Sequence, residues 1–195
     1  MKTNAKERLL KAGTVLFAQN GYGSTSIRAI CEEAGVGINM VHHYFGNKEG
    51  LHKAILESFS SKVLVLPLKV IDADPETQEE VKIRLKMFVD EVLDGIIEFA
   101  DIFRIFMVER QGIPAVATYE EGLVTFLEKC RAKGFIREGL DLPMVTGFIL
   151  DRLAAQVYYS DIIKGNTGVN VIENKDYRDR WVNANLDLML HGMLS

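Results

Sequence analysis

Between Gly37 and Phe45 the sequence reads GINMVHHYF. Wound as a helix, this run turns Val41 and Phe45 to one side and leaves Ile38, Asn39, Met40, His42 and His43 on the other. A carboxamide such as that of Asn39 can pair with the edge of adenine, and Ile38 and Met40 can pack on a thymine methyl. This is the chemistry of reading bases from a major groove. Around the run stand Thr25, Ser26, Arg28 and Lys48, which suit phosphates through hydroxyls, charge and helix N-termini, and Gly37 opens the run as a further position on the same face. Arg28 is the one of these expected to reach a base.

Residues for bond-making chemistry are missing. There is no G-x-S-x-G elbow, no H-E-x-x-H and no Walker lysine. The string Gly21-Tyr22-Gly23-Ser24-Thr25 follows a helix and lacks a third glycine, so it fails as a phosphate loop. His42 and His43 are adjacent and cannot share a helix face, and His52 brings no fourth ligand, so no metal site and no cofactor is expected. Cys31 and Cys130 lie far apart without a CxxC spacing, and Cys31 is read as buried packing. A non-enzymatic protein is the expectation.

The elements that must position this set are helical. The chain has 195 residues, 48% hydrophobic and 26% charged, with four prolines and no alternating runs of the kind strands require. Leu9, Ala12, Gly13, Leu16 and Phe17 form one buried stripe, with Asn4 as cap, Glu7 at the third position and Asn20-Gly21 as the stop. A second helix is predicted from Ser24 or Thr25, burying Ile27, Ile30, Cys31 and Ala34 and ending at Gly35. The Gly37–Phe45 helix follows, and Asn47 caps a fourth. Three short helices with a glycine-containing turn describe a helix-turn-helix unit. Residues 1–50 carry six Lys/Arg against four Glu within a chain of net charge −4, so a mildly basic head precedes an acidic remainder.

Further along, a break is expected at Pro67, then a helix capped by Asp74 with Pro75 in its first turn and Val81, Leu85, Phe88, Val89, Val92, Ile96 and Ile97 on its apolar face. Helices follow over about 99–109 and 115–133. Two more, over about 143–163 and 176–194, are apolar nearly all round and need cover on two sides. A second copy of the chain supplies it, through Phe148, Leu153, Val157, Trp181, Leu188 and Met189. The segment from Lys164 to Asn174 reads as a mobile loop. Arg152, Gln156 and Tyr159 share a face of an apolar helix and require partners: a bound molecule, water or acidic groups across the dimer. Phe103, Met107, Arg110, Tyr119 and Phe126 are the further candidates for a small-molecule site. No apolar run approaches the length of a membrane span, and the interleaved charge of the N-terminus is unlike a secretory signal, so a cytoplasmic protein is expected.

The run Phe17–Leu51, FAQNGYGSTSIRAICEEAGVGINMVHHYFGNKEGL, resembles the DNA-binding head of the tetracycline-repressor (TetR) family of one-component bacterial transcription regulators. The matching residues are Phe17 and Gly21 at the first helix end, Thr25-Ser26-Ile27, Ala34-Gly35-Val36 at the turn, Tyr44-Phe45, and Asn47-Lys48-Glu49 with Leu51. Gly37 stands where the family often has serine, His42 where tyrosine is frequent and Cys31 where alanine is usual. The resemblance implies an all-α chain of about nine helices, with a three-helix helix-turn-helix head over residues 1–47 and a helical ligand-binding and dimerisation body over 48–195. It implies a homodimer that represses from a palindromic double-stranded DNA operator and is released by a small molecule. The competing expectation is the same fold with a body that binds a protein partner instead of a metabolite.

Overall fold

Asn4 and Glu7 open the first helix as their spacing predicts: the Glu7 N–H donates to Asn4 Oδ1 at 2.9 Å, and the Asn4 N–H donates to Glu7 Oε2 at 3.3 Å. A computed structural model describes residues 4–109 and 114–194, and ten helices with no β-strand occur among them. They divide into two compact units, one of residues 1–62 with 99–112 and one of residues 63–98 with 113–195.

The first unit holds α1 (Ala5–Ser24), α2 (Ile27–Ala34), α3 (Asn39–Phe45), the start of α4 (Lys48–Asp72) and α6 (Ala100–Glu109). In α1 the expected stripe is present, with Leu9, Ala12, Gly13 and Phe17 buried and Leu16 half-buried. Gly21 departs from helical geometry at φ 76°, and only a short turn follows it. Gly13 lets α4 approach closely, since a Cβ there would stand 3.0 Å from Ile55 and 3.4 Å from Leu51. The second helix begins one residue later than expected. Ser26 is its cap, accepting from the Ala29 N–H at 3.1 Å, because the Thr25 hydroxyl is already committed to α1.

The second unit contains the rest of α4, α5 (Gln78–Glu98), α7 (Pro114–Ala132), α8 (Leu142–Tyr158), α9 (Ser160–Thr167) and α10 (Lys175–Met193). Several expectations are corrected here. The helix does not break at Pro67; α4 runs on to Asp72. A proline at 67 cannot donate to the carbonyl four residues back, that of Val63. The buried Tyr119 hydroxyl of α7 donates to this Val63 carbonyl instead. Tyr119, read from the sequence as a ligand contact, therefore supplies the hydrogen bond that the proline removes.

Asp74 and Pro75 do not start α5. Thr77 caps it, accepting from the Glu80 N–H at 3.1 Å, while Asp74 pairs with Lys129 at 2.7 Å. That pairing holds the Asp74 carboxyl below its usual range, chiefly through the hydrogen bond from Lys129. The helix expected over 143–163 is two helices, parted at Tyr159 (φ −95°, ψ 16°). The expected mobile loop is anchored. Asn170 is buried, its amide donates to the Ser160 carbonyl at 3.3 Å, and its Oδ1 accepts from the N–H groups of Ile172 and Glu173 at 3.0 and 2.9 Å. The end of α10 is tied by Arg137, whose backbone N–H donates to Met193 and whose Nε donates to Gly192, at 3.0 and 2.6 Å.

Replacing Tyr119 with Phe leaves the buried Val63 carbonyl without a donor and should cost on the order of 1 to 3 kcal/mol. In Pro67→Ala, whose helix N–H can serve that carbonyl, the same Tyr119→Phe change should cost far less. Denaturant titrations of the two single variants and the double variant measure this, and equal losses in both backgrounds would refute the compensation.

Candidate nucleic-acid interface

A helix of seven residues does not hold itself together, so α3 must be fixed from outside. Val41 is its fully buried anchor. On the N-terminal side Gly35 takes the left-handed conformation at φ 61°, with its N–H and that of Val36 donating to the Glu32 and Cys31 carbonyls. On the C-terminal side α4 starts so close that a Cβ on Gly50 would overlap the Phe45 carbonyl. The Asn47 side chain accepts from the Gly50 N–H at 2.8 Å, completing this joint. Cys31 lies on the buried face of α2, where burial, with a smaller push from the Glu32 charge, raises its thiol pKa. Such a thiol stays protonated and inert.

The outward residues are where the periodicity puts them. Ile38, Asn39, His42 and His43 are exposed and Met40 is half-buried. Tyr44 is exposed as well, beside His43 at a ring separation of 4.8 Å. The sequence reading missed Tyr44 because its spacing from Val41 is that of an inward residue. The first turn of α3 has no side-chain cap. It is closed by the Gly37 carbonyl, which accepts from the Met40 N–H at 3.0 Å. Nothing lies within 4 Å of a Cβ at Gly37, so this position is open.

The residues expected around α3 separate into two kinds. Ser26 and Arg28 are exposed, and Arg28 holds Glu32 at 2.9 Å in an exposed pair, which is weak and easily exchanged for a phosphate. Thr25 and Lys48 have partners within the chain. Thr25 is only 4% exposed, and its hydroxyl faces the Gly21 and Leu16 carbonyls at 2.9 and 3.0 Å, which the break at Gly21 leaves needing donors. Lys48 is half-buried; its ammonium donates to the Tyr22 carbonyl and lies 4.3 Å above the Tyr22 ring. That ring packs with Phe17 and the buried His52, at 5.5 and 4.8 Å. Both residues hold the end of α1 to the elements after it, a role invisible without the fold.

The residues expected at a small-molecule site are distributed over both units. Phe103 and Met107 belong to the first unit, while Tyr119, Phe126, Arg152, Gln156 and Tyr159 belong to the second. Arg110 lies outside the described residues. Phe126 is core. Arg152 is exposed, not buried, and its Nε donates to Asn185 Oδ1 at 2.8 Å, joining α8 to α10. Tyr159 is exposed. Gln156 alone keeps the expected property, a buried Oε1 without a hydrogen-bond partner, and it shares it with Thr146 Oγ1 on the same helix. Of the residues assigned to a dimer contact, Leu153 and Val157 are buried within the chain, which removes them from any external surface. Phe148 and Leu188 are exposed, and Trp181 and Met189 are half-buried. Among the described residues, no group of three or more His, Cys, Asp or Glu could hold a metal, and no helix is long and apolar enough to cross a membrane.

The family model described as bacterial regulatory proteins, tetR family, matches residues 9–55. The chain is 46% identical over 50 residues to the HTH-type transcriptional regulatory protein RaaS of Mycobacterium tuberculosis, an alignment that covers 26% of this chain and 23% of RaaS. It is 28% identical over 93 residues to the HTH-type transcriptional repressor AcnR of Corynebacterium glutamicum, covering 44% and 50%. The chain thus spans at most about half the length of these curated relatives. Over its whole length it superposes on the ketosteroid transcriptional regulator KstR2 of Mycobacterium tuberculosis with a TM-score of 0.77 at 18% identity, covering 100% of this chain and 97% of that one. The TetR family transcriptional regulator PfmR of Thermus thermophilus follows with a TM-score of 0.76 at 19% identity and 96% coverage of both chains. At such identities the two structures speak for the fold alone.

Proposed function

We propose, from the match of residues 9–55 to the model of bacterial regulatory proteins, tetR family, that the chain is a homodimeric, cytoplasmic transcriptional repressor that reads a palindromic operator and is released by a small molecule. The observation that carries the DNA-reading part is the exposure pattern of α3: one buried anchor at Val41 against a free face of Ile38, Asn39, His42 and His43. Asn39 reads adenine, Ile38 and Met40 meet a thymine methyl, and Ser26, Arg28 and the open backbone at Gly37 meet phosphates. Two such heads spaced ~34 to 36 Å apart fit successive turns of one duplex face.

Support for the dimer comes from the outer face of α8 and α10. Met144 and Phe148 are 73% and 51% exposed, and Leu188 is 73% exposed. Arg152 bonds Asn185 and lies 5.6 and 5.9 Å from the rings of Phe148 and the half-buried Trp181. Large apolar side chains grouped in this way call for cover, and a two-fold contact between copies is the commonest form of it. Support for a ligand comes from Gln156 Oε1 and Thr146 Oγ1, buried acceptors on the inner side of α8 that a molecule carrying a hydrogen-bond donor would satisfy. The long helix α4 belongs to both units, so it is the element through which a ligand would change head spacing, with a coupling on the order of 1 to 3 kcal/mol.

Three outcomes test this reading. Selection from random-sequence duplexes should recover a two-fold symmetric site. Asn39→Ala should weaken binding to it by about 1 to 3 kcal/mol, and Arg28→Ala should lower the salt dependence by roughly one unit of slope at unchanged stability; recovery of unrelated sequences would refute the assignment. Leu188→Glu should give a folded monomer in sedimentation experiments, and a persistent dimer would move the interface elsewhere. Gln156→Leu should raise stability by about 1 kcal/mol, because it removes an unsatisfied buried acceptor, and should abolish release from DNA in a metabolite screen that releases the unaltered protein. Retained release would exclude Gln156 from the site.

A further inference from the structure

We propose that His42 is a DNA contact switched by its own proton: neutral, its free nitrogen can only accept a hydrogen bond, and protonated, the same atom donates to a phosphate or to the acceptor edge of guanine. The inference rests on the DNA-reading assignment of α3 and adds to it the chemistry of one contact. His42 lies in the last turn of α3 and is exposed. Its Nδ1 is 2.8 Å from the Gly46 carbonyl oxygen. A carbonyl only accepts, so the hydrogen of the neutral imidazole must sit on Nδ1. The arrangement is held from both sides, because the Gly46 N–H donates back to the His42 carbonyl at 3.1 Å and Gly46 adopts φ 78°, which suits glycine.

With Nδ1 committed, Nε2 carries a bare lone pair in the neutral ring and makes no hydrogen bond to the described residues. Phosphate oxygens and the N7 and O6 atoms of guanine are also acceptors and are repelled by it. One added proton places an N–H and a positive charge at Nε2, so the contact becomes attractive. His43 is different. It is exposed and contacts only the Tyr44 ring, so no carbonyl fixes its tautomer and a proton there adds charge without reversing a defined bond.

Charged groups near α3 leave this proton to the DNA. On α1, which packs against α3, they are Lys6, Glu7, Arg8 and Lys11; on α2, Arg28, Glu32 and Glu33; on the first turns of α4, Lys48, Glu49 and Lys53. None forms an ion pair with either imidazole. Glu32 is held by Arg28, Lys48 by Tyr22, and Lys53 by Glu57 at 3.7 Å. Because the protonated form binds, affinity is present at low pH and is lost as pH rises, by at most about tenfold per pH unit for each proton taken up.

The test uses the full chain and a duplex selected by it from random-sequence DNA, at fixed ionic strength from pH 8 to pH 6. Affinity should rise at least about threefold per head as pH falls, within the one-proton limit. His42→Gln should flatten the slope, and His43→Gln should keep it whatever its own affinity. Binding heats of the unaltered protein in phosphate and in Tris should reveal uptake of one proton per head, a readout independent of any variant's folding. A flat slope, a reversed slope, or a slope retained in His42→Gln overturns this inference and leaves the DNA-reading assignment standing. A chain that binds no duplex at any pH overturns both.

Discussion

The structure depends on the burial of one side chain in a helix too short to be stable alone. α3 has seven residues, about two turns, and such a segment stays unfolded in water without tertiary support. Val41 gives it a single deep anchor. The glycine at 35 sets its entry and the glycine at 50 allows its exit to press against the next helix. Most of its surface is thereby left free, since fixing a helix by its two ends and one buried residue consumes few side chains. A longer or more amphipathic helix would be steadier and would have less to offer a groove.

The same economy explains the roles of Thr25 and Lys48. The break at Gly21 frees α1 from running into α2, and it leaves carbonyls that need donors in a partly dry environment. The single Thr25 hydroxyl proton is shared between two of them and Lys48 answers a third. Neither role is written in the periodicity. From the sequence a hydroxyl and an amine beside a basic head look like phosphate ligands, and only the position of the Leu16, Gly21 and Tyr22 carbonyls shows that the chain uses them itself. What is legible is local: the Asn4 and Glu7 capping box, the left-handed Gly35, the Asn47 start of α4 and the alternation of Val41 with its exposed neighbours all depend on contacts within four residues.

The sequence misleads where a distant group compensates for a local rule. Pro67 should end a helix, and does not, because Tyr119 lies 52 residues away in sequence and beside Val63 in space. Asp74 should cap α5, but Lys129 claims it. Asn170 turns a polar glycine-containing stretch into an anchored segment through a bond to Ser160. Arg152 reads as buried because its helix is apolar on nearly every side, yet it lies at the surface between exposed Phe148 and half-buried Trp181, with its guanidinium 5.6 and 5.9 Å from their rings. A helix can be apolar all round for two reasons, a core on one side and an assembly partner on the other, and periodicity alone does not separate them.

On the proposed DNA-reading role an acidic chain must concentrate its positive charge, and the fold narrows the supply further than the sequence suggests. Lys48 is committed to Tyr22 and Arg28 is shared with Glu32, so neither meets a phosphate without first exchanging a partner. Affinity for a duplex grows with each phosphate neutralised, and a head short of permanent charge gains proportionally more from a conditional one. The two imidazoles at 42 and 43 stand on a helix that carries no lysine, arginine or carboxylate of its own. In the contact proposed for His42, whose Nδ1 is tied to Gly46, binding runs through a single atom in a single protonation state. The cost is a weaker grip in alkaline conditions, and the gain is that the direction of the hydrogen bond, not merely its strength, follows the proton.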